Sequence, residues 1–130
     1  NSYGPDHPEV ARDLNNLAML LKNTNRLKEA EPLYERALKI DEKTYGRDHP
    51  NVAIRLNNIA MLLKKTNCLK EAELLERRGV EILINFSQTT GHQHPHLLTF
   101  TKNYVGLLSA MGWSEDQVRD QLRRMGVEFE

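Results

Sequence analysis

The fold of this chain is decided by a repeated segment: residues 7–33 read HPEVARDLNNLAMLLKNTNRLKEAEPL, and residues 49–75 read HPNVAIRLNNIAMLLKKTNCLKEAELL. The two segments are identical at 20 of 27 positions, with an offset of 42 residues, which is far beyond chance. A weaker third copy, HPHLLTFTKNYVGLLSAMG, begins at His94 with an offset of 45. A fixed period of this length is typical of solenoids, in which each copy is one small structural unit.

The first half of each copy predicts an amphipathic helix. Pro8 and Pro50 suit a first helical turn, where the missing N–H is no loss. The residues before these prolines have side chains that can cap the helix: Asp6, His7, Asp48 and His49. Apolar residues then recur at helical spacing and predict one buried stripe: Leu14, Leu17, Ala18 and Leu21.

A turn and a second helix complete each copy. Asn25, Asn67 and Gly112 follow the first helices, and these residue types tolerate the left-handed backbone that ends a helix. The second helix has an apolar face with small residues that allow close helix approach: Ala30, Leu33, Tyr34, Ala37 and Leu38, then Ala72, Leu75, Glu76, Gly79 and Val80. Because one hairpin cannot bury its stripe alone, we expect an all-α fold, a right-handed α-solenoid of stacked hairpins.

The period divides this single domain into repeats. Residues 1–6 read as the tail of a preceding repeat, 7–48 as repeat 1, 49–93 as repeat 2, and 94–130 as a divergent repeat 3. Tyr3-Gly4 matches Tyr45-Gly46 at the same offset, so we expect a C-terminal fragment of a longer array. Repeat 3 should end in a capping helix, opened by a Ser114–Gln117 capping box and closed by Gly126. Its narrow apolar stripe is Val118, Leu122 and Met125.

The composition narrows the function classes. The 18 basic and 18 acidic residues balance, and aromatic residues are 6% of the chain, so nucleic acid is not the expected partner. No apolar run approaches the length of a membrane helix. Cys68 is the single cysteine, which favours a reducing, cytoplasmic setting. We find no catalytic constellation and no phosphate-binding glycine loop, and we expect neither enzymatic activity nor a cofactor.

Short motifs connect the chain to a known family. They are LNNLA at 14–18, LNNIA at 56–60, and KEAE at 28–31 and 70–73. On these motifs the chain resembles the 42-residue tetratricopeptide subclass found in kinesin light chains and in many bacterial repeat proteins. The resemblance implies a protein-binding scaffold whose first helices line a concave groove that holds peptides or helices. Glu76 departs from the pattern, which favours an aromatic residue such as Tyr34.

The groove-facing stripe should lie about a third of a turn from the packing stripe. From it we predict a peptide-binding groove made of Arg12, Asn15, Met19, Lys22, Asn57, Met61, Lys64, Lys65 and Lys102. Its bases and amides favour an acidic peptide, whereas the plainer interpretation is that the lysines solvate an exposed face. Asn16, Asn58 and Asn103 lie one position further round the helix and suit hydrogen bonds between adjacent first helices at least as well as ligand contacts.

Two alternatives remain open at this stage. The first is self-association, through an exposed repeat face or through capture of the acidic, Phe-containing tail at Val127–Glu130. The second is a metal site at His92, His94 and His96. Because His94-Pro95 repeats the capping pattern of the other copies, we interpret this trio as a loop and helix start and predict no metal.

Overall fold

The computed structural model describes residues 7–127, which form six helices joined by short turns. The helices are α1 (Pro8–Asn23), α2 (Leu27–Tyr45), α3 (Pro50–Lys65), α4 (Leu69–Thr90), α5 (Leu97–Ala110) and α6 (Glu115–Met125). The pairs α1–α2 and α3–α4 pack closely as hairpins, α3 also contacts α2, and α5 contacts α4. The predicted all-α stack of hairpins is confirmed.

The turns within the first two hairpins have the predicted left-handed residue. Asn25 and Asn67 adopt φ values of +64° and +62°, and Gly112 takes the same place in the third hairpin with a φ of +92°. Backbone hydrogen bonds close each of these two turns. The N–H of Arg26 donates to the carbonyl oxygen of Leu21 at 2.7 Å, and the N–H of Cys68 donates to the carbonyl oxygen of Leu63 at 2.8 Å. These bonds satisfy carbonyls that the end of the first helix leaves without a partner.

Histidine, rather than aspartate, caps the first helices. Nδ1 of His7 accepts from the N–H of Glu9, and Nδ1 of His49 accepts from Asn51, both at 3.0 Å. The prediction that Asp48 shares this role was wrong, because His49 is the residue at the helix start; Asp6 lies outside the described residues.

The third copy begins its first helix two residues late. His94 makes the equivalent bond, accepting from the N–H of His96 at 3.1 Å, but α5 starts only at Leu97. Pro95 therefore precedes the helix instead of opening it, unlike Pro8 and Pro50. Separately, α4 has 22 residues where α2 has 19, which accounts for the change of offset from 42 to 45.

Small residues lie where the helices cross closely, as predicted. Ala30, Ala37 and Ala72 are fully buried, and a Cβ added to Gly79 would lie 3.4 Å from the carbonyl oxygen of Ala53. The third hairpin is built differently, because α6 meets α5 far less extensively than α2 meets α1. The side chains that α6 buries are Val118 and Leu122.

The predicted start and end of α6 are confirmed. Ser114 and Gln117 form the capping box, with both reciprocal bonds present. Gly126 ends the helix in the left-handed region with a φ of +101°.

The predicted stripe of α1 is only partly buried. Ala18 is fully buried and Leu21 is 9% exposed, but the prediction was wrong for Leu17, which is 47% exposed. Its equivalent in the second copy, Ile59, is 3% exposed because it packs in a core shared with the first hairpin. Within residues 7–127 no hairpin lies on the corresponding side of α1 to cover Leu17.

Candidate peptide-binding groove

Amide side chains join the first helices of neighbouring hairpins. Nδ2 of Asn58 on α3 donates to Oδ1 of Asn15 on α1 at 2.8 Å. Nδ2 of Asn103 on α5 donates to Oδ1 of Asn57 on α3 at 3.2 Å. The expected structural bond between first helices is therefore present, in a ladder that runs through all three hairpins. Its acceptors, however, are two of the residues that the sequence assigned to the peptide.

The side chain of Asn15 is largely unavailable to a ligand. Its side chain is 6% exposed, and Nδ2 lies 3.6 Å from Sδ of Met19 on the next turn. The sequence signal for this role was the Asn-Asn pair itself, because two adjacent amides on neighbouring helices can bond each other. Helical spacing alone does not say which member of the pair faces the next hairpin.

Glu76 lies beneath Asn57 as a buried carboxyl group. It is 2% exposed, and its two carboxyl oxygens lie 2.9 and 3.0 Å from the position of the Asn57 amide oxygen. A protonated Glu76 can donate to that oxygen while Asn103 donates to it as well. An ionised Glu76 instead requires the Asn57 amide to turn over, and Asn103 must then turn too, or two amide nitrogens meet at 3.2 Å.

Burial favours the protonated form of this carboxyl. Removal from water raises the pKa of Glu76 to about 8, although the charge of Lys64 pulls in the opposite direction. At neutral pH Glu76 is then a neutral hydrogen-bond donor. It adds no negative charge to the groove beside Lys64.

Three lysines cluster at the ends of the first helices. Lys22 lies in the last turn of α1, and Lys64 and Lys65 lie in the last turn of α3. Burial and the charge of Lys65 lower the pKa of Lys22, which places these two ammonium groups within each other's field. The ammonium of Lys64 reaches α5, since a Cβ added to Gly106 would lie 4.0 Å from it.

The lysines also stabilise the carbonyl ends of their helices, which is the structural role that lysine has in a last helical turn. None of the three forms an ion pair with another residue of 7–127. Positive charge is therefore concentrated at the ends of α1 and α3, and no carboxylate within residues 7–127 forms an ion pair with it.

The remaining predicted residues fall into two groups. Met19 and Met61 are 41% and 37% exposed at equivalent positions of α1 and α3, so they offer apolar contact near the lysines. Lys102 is exposed on α5, one turn before Gly106. Arg12 lies apart at the start of α1 and pairs with Glu9 at 2.8 Å, so the structure does not bring it to the lysine cluster.

Two residues of the histidine trio, His94 and His96, lie in a row of aromatic rings with Phe86 and Phe100. His94 lies 5.1 Å from Phe86 and 5.5 Å from His96, which in turn stacks on Phe100 at 5.5 Å between ring centroids. Burial and the neighbouring His96 lower the pKa of His94. Across residues 7–127 no group of three His, Cys, Asp or Glu side chains is arranged to hold a metal ion.

Stacked two-helix hairpins define a helical-repeat scaffold. The family model for the tetratricopeptide repeat matches residues 1–43 and 14–85, and the chain belongs to this family. Such repeats generally mediate interactions between proteins. No curated protein matches the sequence. None of the described helices is both long enough and apolar enough to cross a lipid bilayer.

Proposed function

We propose that the groove along α1, α3 and α5 binds a peptide or helical segment of another protein, with acidic residues beside a large apolar one. The observation that carries this proposal is the cluster of Lys22, Lys64 and Lys65, which has no balancing carboxylate among the described residues. A protonated Glu76 leaves the field of this cluster intact. An acidic ligand supplies the missing charge.

Apolar contact would come from the two exposed methionines. Met19 and Met61 are flexible and polarisable, so one groove can accept several ligand sequences. Asn15 and Asn57 contribute indirectly, because their amides hold the first helices at a fixed spacing. Replacing these two asparagines would disturb the packing of the first helices as well as any contact with the ligand. They are therefore poor probes of binding.

The lysines give a cleaner test. Exposed charge pairs contribute about 0.2–1 kcal/mol each, so replacing all three lysines with Ala should weaken binding of an acidic peptide roughly 10-fold. Added salt should weaken wild-type binding in the same direction. The matched control changes Lys28 and Lys70, which are exposed on the second helices, and should leave the affinity unchanged.

The measurement is fluorescence anisotropy with acidic and charge-reversed peptide libraries. Equal affinity for both libraries, or an equal effect of the control variant, would mean that the lysine cluster is not the binding site.

We also place the chain, as a proposal, in the kinesin-light-chain-like subclass and in the cytoplasm. The 42-residue period of the first two copies supports the subclass. The exposed, unpaired thiol of Cys68 suits a compartment that keeps thiols reduced.

Self-association is a second candidate function. It is favoured by the apolar side chains that α1 exposes, Leu17 at 47% and Leu20 at 60%. Unlike scattered surface leucines, these two lie at positions that the second copy buries. The molar mass of the full chain in solution, measured against concentration, tests this candidate independently of any peptide.

A further inference from the structure

The junction between α3 and α5 differs from the junction between α1 and α3 at two equivalent positions. Through the offset of 42, Glu76 on α4 takes the place of Tyr34 on α2. Through the offset of 45, Gly106 on α5 takes the place of Met61 on α3. A Cβ added to Gly106 would lie 4.0 Å from the ammonium nitrogen of Lys64. This junction therefore combines a carboxyl group with an ammonium group, where the other has a phenol and a thioether.

Glu76, Asn57 and Asn103 share one hydrogen-bonding position. Nδ2 of Asn103 lies 3.2 Å from Oδ1 of Asn57, and the carboxyl oxygens of Glu76 lie 2.9 and 3.0 Å from the same position. A neutral carboxyl group can donate to an amide oxygen there, but a carboxylate can only accept and needs the amide N–H. The proton on Glu76 therefore decides which end of the Asn57 amide lies in this position.

The other end of the Asn57 amide remains for a ligand. Asn57 is half-buried, and when its oxygen faces a protonated Glu76, its Nδ2 forms no hydrogen bond with another residue of 7–127. In this state the N–H groups of Asn57 can donate to a carboxylate. When Glu76 is ionised, both amides turn over, and the available N–H groups pass from Asn57 on α3 to Asn103 on α5.

The charges at this junction favour the same dependence. The helices that pack most closely on α4 are α3 and α5. Lys64 on α3 is the positive group whose field reaches Glu76. On α5 the hydroxyl of Tyr104 donates to Glu73, one turn before Glu76, at 2.6 Å, and Arg77 pairs with Glu73 at 3.4 Å. A ligand carboxylate beside Lys64 would meet a neutral Glu76 without repulsion, whereas an ionised Glu76 would repel it.

We propose that Glu76 regulates the groove: in its protonated form Asn57 donates to a carboxylate of the ligand beside Lys64, and ionisation of Glu76 weakens that binding. This inference rests on the peptide-binding function proposed above and adds its regulation by pH. Glu76 acts through Asn57 and is a positioning residue. The acidic ligand and the proton then strengthen each other's binding, as linkage requires.

The expected size follows from the protonated fraction. Burial raises the pKa of Glu76 to about 8, so about a tenth of the molecules remain protonated at pH 9. A ligand that requires the protonated form should therefore bind about 10-fold more weakly at pH 9 than at pH 6.5, relative to Glu76→Gln. The Gln side chain keeps a neutral donor for the oxygen of Asn57 and does not ionise.

The probe is the acidic peptide of the library above that binds wild type most tightly at pH 6.5, followed by fluorescence anisotropy. Glu81→Gln changes an exposed residue on the same helix and should keep the pH dependence of wild type. Calorimetry in two buffers of different ionisation enthalpy should show more proton uptake on binding at pH 8 for wild type than for Glu76→Gln. A purely structural role of Glu76 would give no such difference.

A measurement without ligand keeps the test decisive if Glu76→Gln fails to fold. The side-chain carbonyl carbons of Glu76, Asn57 and Asn103 should titrate together in carbon NMR spectra of wild type, with a midpoint near pH 8. The absence of this titration would overturn the inference.

The outcomes separate this inference from the proposed function. Peptide binding with the same pH dependence in wild type and Glu76→Gln would overturn the inference and leave the proposed function standing. Failure of every acidic peptide to bind wild type at pH 6.5 would overturn both.

Discussion

The buried carboxyl of Glu76 should make the stability of this protein depend on pH. Its pKa of about 8 in the folded chain exceeds the ordinary value of 4.5, so folding favours the protonated form. The stabilisation is fully present below pH 4.5 and is lost as the pH rises through about 8. Replacing Glu76 with Gln keeps a donor for the oxygen of Asn57 and removes the ionisation.

The size of the effect follows from the change in pKa. Each pKa unit corresponds to about 1.4 kcal/mol, so ionising Glu76 in place costs up to ~5 kcal/mol. Turning of the Asn57 and Asn103 amides towards the carboxylate would recover part of this cost. We therefore expect the wild type to lose ~2–4 kcal/mol of unfolding free energy between pH 5 and pH 8, relative to Glu76→Gln.

Urea unfolding followed by circular dichroism at a series of pH values measures this difference. The comparison with Glu76→Gln cancels the histidines and other titrating groups, which both proteins share. Glu81→Gln changes an exposed glutamate on the same helix and serves as the matched control. Parallel stability curves for wild type and Glu76→Gln would mean that Glu76 is ionised at neutral pH and that both amides are turned over.

Two further predictions concern packing and charge in the stack. Ala30→Leu or Ala72→Leu should each lower the unfolding free energy by about 1–3 kcal/mol, because both side chains are fully buried at close helix crossings; a loss below the error of urea unfolding would contradict this. Arg55→Met should cost about 3–5 kcal/mol, because it leaves Asp41 buried without its partner, and adding Asp41→Leu should recover most of that loss. A double variant no more stable than Arg55→Met alone would show that the loss does not come from leaving the Asp41 carboxylate unpaired.

The sequence predicted the fold well because its strongest signals are local. Asn25 and Asn67 end their helices because of their own backbone preferences, and the Ser114 capping box involves residues three apart. The small residues at Ala30 and Ala72 report a close crossing directly. Such features depend little on what lies elsewhere in the molecule.

The site was predicted less well because its residues depend on neighbouring hairpins. Helical periodicity finds an apolar or polar face but not the surface that meets it, so Leu17 looked buried and Asn15 looked available. Glu76 stood out as a departure from the family pattern. Its burial beneath Asn57 came only from the packing of α3 on α4.

The bond between Arg55 and Asp41 also affects which hairpins pack against each other as the chain folds. With 20 of 27 residues identical, α1 and α3 offer nearly the same surface to a folding hairpin, and α1 could be mistaken for α3. In that wrong arrangement Asp13 would stand where Arg55 stands, and two carboxylates would meet out of water. A single reversal of charge between otherwise similar helices thus disfavours the wrong packing and helps to specify the order of the repeats.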